Sequence, residues 1–148
     1  MTLGTADAPQ RSFRNVVIDT NVFISLVTER DPVQRAKSEA LLESAERGEI
    51  VIVLPQFIIF EFIHAVREFY DLSAEETKPL IADTMALPGV IVTDDCPWPQ
   101  FFEHWSDLRP DVGDAAVLAV AIEHGYTLST FDRKFANRAK TFGVAPYW

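Results

Sequence analysis

Residues 50–63, Ile50-Val51-Ile52-Val53-Leu54-Pro55 followed by Gln56-Phe57-Ile58-Ile59-Phe60-Glu61-Phe62-Ile63, decide the fold. The first five are an unbroken apolar run, mostly β-branched. They lack the polar alternation of a strand with one face in water, and read as a strand buried on both faces. Pro55 ends the run. The residues after it are apolar around almost the whole helical circumference, which predicts a helix from Gln56 to about Phe69 buried on more than one side. Such a strand feeding straight into such a helix is the repeating unit of a parallel sheet covered by helices.

The same alternation continues outward in both directions. Val16-Val17-Ile18 is a second apolar run, too short for a helix, that stops at Asp19-Thr20-Asn21. Pro32 to Gly48 reads as a helix with proline in its first turn and glycine as its stop. Ser73-Ala74-Glu75-Glu76 has the pattern of a capping box and opens a helix to about Leu87. Val90-Ile91-Val92 is a third strand, and Pro97 to Leu108 a helix carrying Phe101, Phe102 and Trp105. Asp114 to Gly125 is a helix of small residues, Thr127-Leu128-Ser129 a fourth strand, and the last helix begins near Arg133. Gly143-Val144-Ala145 is expected to add an edge strand. Together these elements predict an α/β fold, a three-layer α/β/α sandwich with a central parallel sheet. Residues 1–14 read as a flexible tail and 15–148 as one domain, without repeats.

With 148 residues, 48% of them hydrophobic and 24% charged, the chain can bury a continuous core without disulfides. Its single cysteine, Cys96, has no partner within the chain, and no Cys/His cluster has zinc spacing. No signal peptide or membrane span is visible, so a cytoplasmic location is expected. The formal charge of −9 excludes a nucleic-acid binder that works by electrostatics alone. The charge is unevenly spread: the chain is strongly acidic as far as Leu108. From Arg109 onward, Arg109, Arg133, Lys134, Arg138 and Lys140 slightly outnumber the acids. A cation-neutralised site with a basic rim, or a basic protein partner, fits that distribution.

Ligands of an open parallel sheet bind beyond the carboxyl ends of its strands. Asp19 and Asp132 fall there, and Glu61 lies on the helical turns nearest the same edge. Asp114 opens the helix that leads into the fourth strand. Carboxylates gathered in one cleft repel each other and raise each other's pKa unless a cation compensates. Oxygen-only donors suit Mg²⁺ or Mn²⁺, and such a site serves phosphodiester hydrolysis. Each acid also has a plain structural reading. Asp19 can simply end a strand, and Asp114 and Asp132 can cap helices. Glu61 is the hardest to dismiss, because a charge within so apolar a run needs a partner.

These residues resemble the PIN domains, and among them the VapC-type toxin ribonucleases of toxin–antitoxin pairs. The resemblance runs from Val16 to Val144. It rests on Val17-Ile18-Asp19-Thr20-Asn21-Val22, on Leu54-Pro55 with Glu61 six residues on, on Gly113-Asp114-Ala115, and on Leu128-Ser129-Thr130-Phe131-Asp132-Arg133-Lys134-Phe135. It implies a Mg²⁺/Mn²⁺-dependent endoribonuclease that forms a homodimer and is restrained by a small VapB-type antitoxin, with RNA as substrate and no membrane partner. Asp19, Glu61, Asp114 and Asp132 would be catalytic residues and metal ligands. Thr20, Asn21 and Thr130 would orient them. Arg133 and Lys134 would contact flanking phosphates, or simply form a solvated helix start. Asp111 receives no role.

Other reactive residues are set aside. His64, His104 and His124 form no spaced metal pair, His64 being expected to pack or hydrogen-bond. Cys96 has no basic neighbour to make it a thiolate. Asp94 and Asp95 are expected to cap the next helix, and the stripe Trp98, Phe101, Phe102 and Trp105 to be core. The apolar Phe57–Ile63 surface suits a second subunit or an antitoxin helix. A haloacid dehalogenase-type phosphotransferase would need an acid at position 21, where Asn21 stands. A response-regulator receiver would need paired acids at the first strand. A non-catalytic PIN-like module that binds RNA or scaffolds a complex is the remaining alternative, and the full acidic quartet argues against it.

Overall fold

Val16, Val17 and Ile18 of β1 (Arg14–Ile18) are each at most 1% exposed. Successive side chains of a strand point to opposite faces, so helices must cover this sheet on both sides. The computed structural model describes residues 14–107 and 111–148 and has that three-layer α/β/α arrangement. The sheet runs in the order β3-β2-β1-β4, with β2 at Ile50–Pro55, β3 at Val90–Thr93 and β4 at Thr127–Ser129. All pairings are parallel; in β1 against β2, Val16 lies opposite Ile52, and in β1 against β4, Ile18 lies opposite Ser129. The chain moves outward from β1 to β3 and then returns to add β4 on β1's other side. The strand order therefore reverses at β1, and the crevice at the carboxyl ends of β1 and β4 is where an open α/β sheet offers a site.

Among the described residues seven helices surround the sheet: α1 (Thr20–Val27), α2 (Pro32–Glu46), α3 (Gln56–Phe69), α4 (Ala74–Ala86), α5 (Trp98–His104), α6 (Val112–His124) and α7 (Arg133–Thr141). The capping box predicted at Ser73 forms: its hydroxyl accepts from Glu76 N, and Glu76 accepts from Ser73 N. α6 is buried on all sides from Ala115 to Ala121, because its small side chains let it sit close to β1 and α5. Gly125 ends it in the left-handed conformation that glycine adopts at least cost. Among the described residues no helix is long and apolar enough to cross a membrane.

Several expectations are corrected. Arg14, assigned to the tail, opens β1; the remainder of the tail lies outside the described residues. α1 was not foreseen at all. Thr20-Asn21-Val22-Phe23-Ile24-Ser25-Leu26-Val27 is rich in weak helix formers, and its helicity comes from burial, with Phe23 stacked on Phe62 at 3.8 Å. α5 ends at His104, and Leu108, the last residue of its expected extent, lies outside the described residues. The edge strand at 143–145 reduces to one parallel bridge, Leu128 to Pro146, in which Leu128 N donates to Ala145 O at 2.9 Å and Tyr147 N to Leu128 O at 2.8 Å. Of the aromatic stripe only Phe101 is buried; Trp98, Phe102 and Trp105 are exposed. α3 buries Ile58, Ile59, Phe62 and Val66, but Phe60 on its outer face is 68% exposed.

Candidate active site

Asp19 follows β1 directly, and its N–H donates to Ser129 O at 2.9 Å, carrying the β1–β4 ladder one step into the crevice. The residue is only 6% exposed, and its carboxylate is held from three sides. Oδ1 accepts the backbone N–H of Thr20 at 2.8 Å, so Asp19 also caps α1. Oδ2 accepts the Thr130 hydroxyl at 2.8 Å and the Asn21 amide at 3.3 Å. Asn21 in turn donates to Thr130 Oγ1 at 3.2 Å and accepts from Phe131 N at 3.2 Å. The three polar residues singled out in sequence thus surround Asp19, although Thr20 does so through its backbone. The Thr20 hydroxyl is buried toward Glu61 without completing a hydrogen bond, and the Ser129 hydroxyl is likewise buried and unpartnered. Burial holds the Asp19 carboxyl above its ordinary range; the hydrogen bonds oppose this, and the charges of Asp111 and Asp132 add to it.

Glu61 lies on the second turn of α3, half-buried, and its carboxylate rests against the first turn of α6. A β-carbon on Gly113 would stand 2.6 Å from Glu61 Oε2, so only glycine permits this approach. Burial, Asp19 and Asp111 push the Glu61 carboxyl up, against a lowering contact from Thr20. We expect Gly113→Ala to displace the Glu61 carboxylate while changing the melting temperature little, because the colliding group is the end of a flexible side chain. If Glu61 serves the reaction, turnover should fall by about tenfold or more in a cleavage assay, since misplacement by about 1 Å is that costly.

Asp114 is the third residue of α6 rather than its cap. The cap is Asp111, whose Oδ1 accepts Asp114 N at 3.0 Å, which supplies the role that the sequence left unassigned. Burial pushes the Asp114 carboxyl up to about 7, and repulsion from Asp19, Asp111 and Asp132 adds to the rise while Arg138 opposes it. Arg138 Nη2 lies 3.8 Å from Asp114 Oδ2, with the two side chains 21% and 20% exposed. Asp132 is exposed and caps α7 by accepting Phe135 N at 3.1 Å. Its own N–H donates to Thr130 Oγ1 at 3.1 Å, so one hydroxyl links Asp19 to Asp132. The sequence left Asp111 without a role and gave Arg138 no place in the site. Asp111, three residues ahead of Asp114 and just before the apolar run, carried the pattern of a helix cap. Arg138 lies one turn after Phe135 on the same inward face of α7.

Asp19, Asp114 and Asp132, with Asp111, therefore come to one edge of the sheet within reach of charge repulsion, and Glu61 feels the charges of Asp19 and Asp111. Their donors are all hard carboxylate oxygens, and mutual repulsion leaves the cluster short of positive charge. Both properties fit Mg²⁺ or Mn²⁺. The shell is open as the side chains stand: among the described residues no three Asp, Glu, His or Cys side chains converge closely enough to enclose an ion. A cavity of about 550 Å³ opens beside Asp114 and Asp132, walled by Lys134, Asn137, Arg138 and Phe142. The other residues considered lie elsewhere. His64 is exposed on α3, neither packed nor in the site. His104 packs on Phe142, and His124 Nε2 meets Asp95 Oδ2 at 2.8 Å. Neither Asp94 nor Asp95 caps α5, whose cap position is Pro97. Burial and Asp95 push the Cys96 thiol up, away from a reactive thiolate.

Fold and site define a small α/β domain with an acidic cleft at the topological switch point of its sheet. The chain belongs to the PIN domain family, whose model matches residues 16–141. No curated protein sequence matches it significantly. Among solved structures it is similar to VapBC2 from Rickettsia felis bound to a DNA fragment from their promoter, with TM-score 0.62 and 14% identity over 88% of this chain and 96% of that one. It is also similar to FitAcB from Neisseria gonorrhoeae, with TM-score 0.61 and 16% identity over 90% and 96%. A third is PAE2754 from Pyrobaculum aerophilum, with TM-score 0.59 and 17% identity over 89% and 90%.

Proposed function

We propose that this PIN domain is a Mg²⁺- or Mn²⁺-dependent endoribonuclease that hydrolyses RNA phosphodiester bonds and acts as the toxin of a VapBC-type pair. The observation that carries the reading is the gathering of Asp19, Glu61 and Asp114, all with raised carboxyl pKa, in one cleft at the sheet's carboxyl edge. Acids kept this close at a cost in stability are best accounted for by a cation that offsets their charge. Asp19 and Asp114 would be its main ligands, and Glu61 and Asp132 would complete the shell directly or through water. When bound, the divalent ion supplies neutralisation of phosphoryl charge and acidification of the attacking water.

The remaining work belongs to the chain. Thr130 and Asn21 fix the Asp19 carboxylate in one orientation, so little reorganisation is needed during reaction. Gly113 lets Glu61 close on the first turn of α6. Lys134 and Arg138 wall the cavity beside Asp114 and Asp132, where they would hold the phosphates next to the scissile one. The exposed Phe60 on α3 suits an apolar contact with a second copy or with an antitoxin helix.

Cleavage of single-stranded RNA in Mg²⁺ or Mn²⁺ is expected, and its complete loss on adding EDTA. Undiminished cleavage in EDTA would remove the metal from the mechanism. Failure of the folded, metal-supplied protein to cut any RNA would leave the binding-module alternative in its place. Expression alone should arrest growth, with relief on co-expression of a small antitoxin partner.

A further inference from the structure

A second cavity adjoins the acidic cleft through Asn21. A polar cavity of about 330 Å³ lies beside α1 and the start of α2, and Asn21, Thr28, Arg30, Asp31, Gln34 and Tyr70 line it. Asn21 joins it to the site, because the same side chain binds the Asp19 carboxylate and the Thr130 hydroxyl. Arg30 is exposed at the end of the α1–α2 connection, and among the described residues no carboxylate lies within ion-pair distance of its guanidinium. Its side-chain contact is with the Tyr70 hydroxyl, at 3.4 Å. In a chain of net charge −9, Arg30 is the cation of this cavity, facing the single carboxylate of Asp31. The Asp31 carboxylate is partly spent on capping α2 through the N–H groups of Val33 and Gln34.

The chemistry of the wall selects a ligand. A guanidinium binds a phosphate, a phenol ring offers a face on which an unpaired base stacks, and Gln34 and Asp31 offer polar atoms to base edges or a ribose hydroxyl. The cavity is at the lower end of the size range for small-ligand pockets, about 300 Å³ upward, enough for one nucleotide but not for a duplex. The Lys134–Arg138 cavity adjoins Asp114 and Asp132, while the Arg30 cavity adjoins Asn21, which holds Asp19. A strand running between the two cavities past the acids would meet a cation in each. We propose that the Arg30–Tyr70 cavity is a nucleotide subsite for single-stranded RNA, Arg30 holding a phosphate and Tyr70 a base. The proposal rests on the ribonuclease reading and names its substrate contacts.

The test uses the full chain and a single-stranded RNA of about ten nucleotides, a length that spans a typical single-strand site. Binding is followed by fluorescence anisotropy in EDTA, and cleavage in Mn²⁺. Arg30→Ala should raise KM about tenfold and leave kcat within about twofold, the mark of lost uniform binding. The slope of log affinity against log salt should become shallower by about 0.7, the value for one phosphate contact on a single strand. Arg30→Lys should restore the slope. Tyr70→Ala should weaken binding about tenfold and Tyr70→Phe much less, as expected of base stacking. Unchanged KM and salt slope in Arg30→Ala, with wild type cleaving, overturn the subsite and leave the ribonuclease reading standing. If wild type cuts no RNA yet binds it in EDTA with an Arg30-dependent slope, the ribonuclease reading falls and the subsite stands.

Discussion

Asp19→Asn is expected to lower RNA cleavage by about a thousandfold or more while the protein stays folded. Asp19 is the most buried acid of the cleft, and its oxygens already accept from Thr20 N, Thr130 Oγ1 and Asn21 Nδ2. An amide can keep its oxygen toward Thr20 N, which preserves the cap on α1. Its nitrogen then faces Thr130 Oγ1, whose lone pairs already accept from Asn21 Nδ2 and Asp132 N, and Asn21 Nδ2, which cannot accept. Two hydrogen bonds are lost, a cost of about 2 kcal/mol, which relief of the desolvation of a buried charge offsets. Stability should therefore change little, and the lost negative charge should appear in function alone. Melting and circular dichroism close to wild type, with cleavage at background in Mn²⁺, are the expected results. Cleavage within tenfold of wild type would mean that Asp19 is a structural cap and that the centre of the reaction lies elsewhere.

Much of this was legible before any coordinates, and the reasons are local. Apolar runs that stop at a single polar residue mark strand ends, so Asp19 and Asp132 could be put at the carboxyl edge from Val16-Val17-Ile18 and Thr127-Leu128-Ser129. Glu61 was conspicuous because so apolar a helix leaves a charge unexplained. What escaped was set by tertiary contacts. α1 is helical because Phe23 stacks on Phe62 across the fold, a contact that propensity does not contain. Arg138 comes to Asp114 from a helix 24 residues further along, and no local pattern records that meeting. The aromatic residues of α5 have helical spacing, yet Trp98, Phe102 and Trp105 face outward. Periodicity identified the stripe but not what covers it.

Asp114 gives the clearest test of whether the cleft is built for a cation, because its predicted effect has the opposite sign from an ordinary carboxylate. A paired acid has a lowered folded-state pKa and stabilises the fold above its unfolded pKa. Asp114 is raised from 3.8 to about 7, chiefly by burial and then by repulsion from Asp19, Asp111 and Asp132. The folded protein thus holds this proton more tightly than the unfolded chain does. Its contribution is fully present below the unfolded pKa and is lost as pH rises through about 7. A rise of that size corresponds to about 4 kcal/mol, and partial solvation reduces the expected penalty at pH 8 to about 2 kcal/mol. Asp114→Asn should therefore stabilise the metal-free protein at pH 8 by about 2 kcal/mol, raising the melting temperature by about 6 °C, and abolish cleavage. At pH 5 the same substitution should gain little, because Asp114 is already protonated. Mn²⁺ should raise the melting temperature of the wild type more at pH 8 than at pH 5, where protons compete for the oxygens, and should raise that of Asp114→Asn less at either pH. A variant that melts lower than wild type at pH 8, or a Mn²⁺ response indifferent to pH and to this residue, would mean that these acids are not held together against their charge for the sake of an ion.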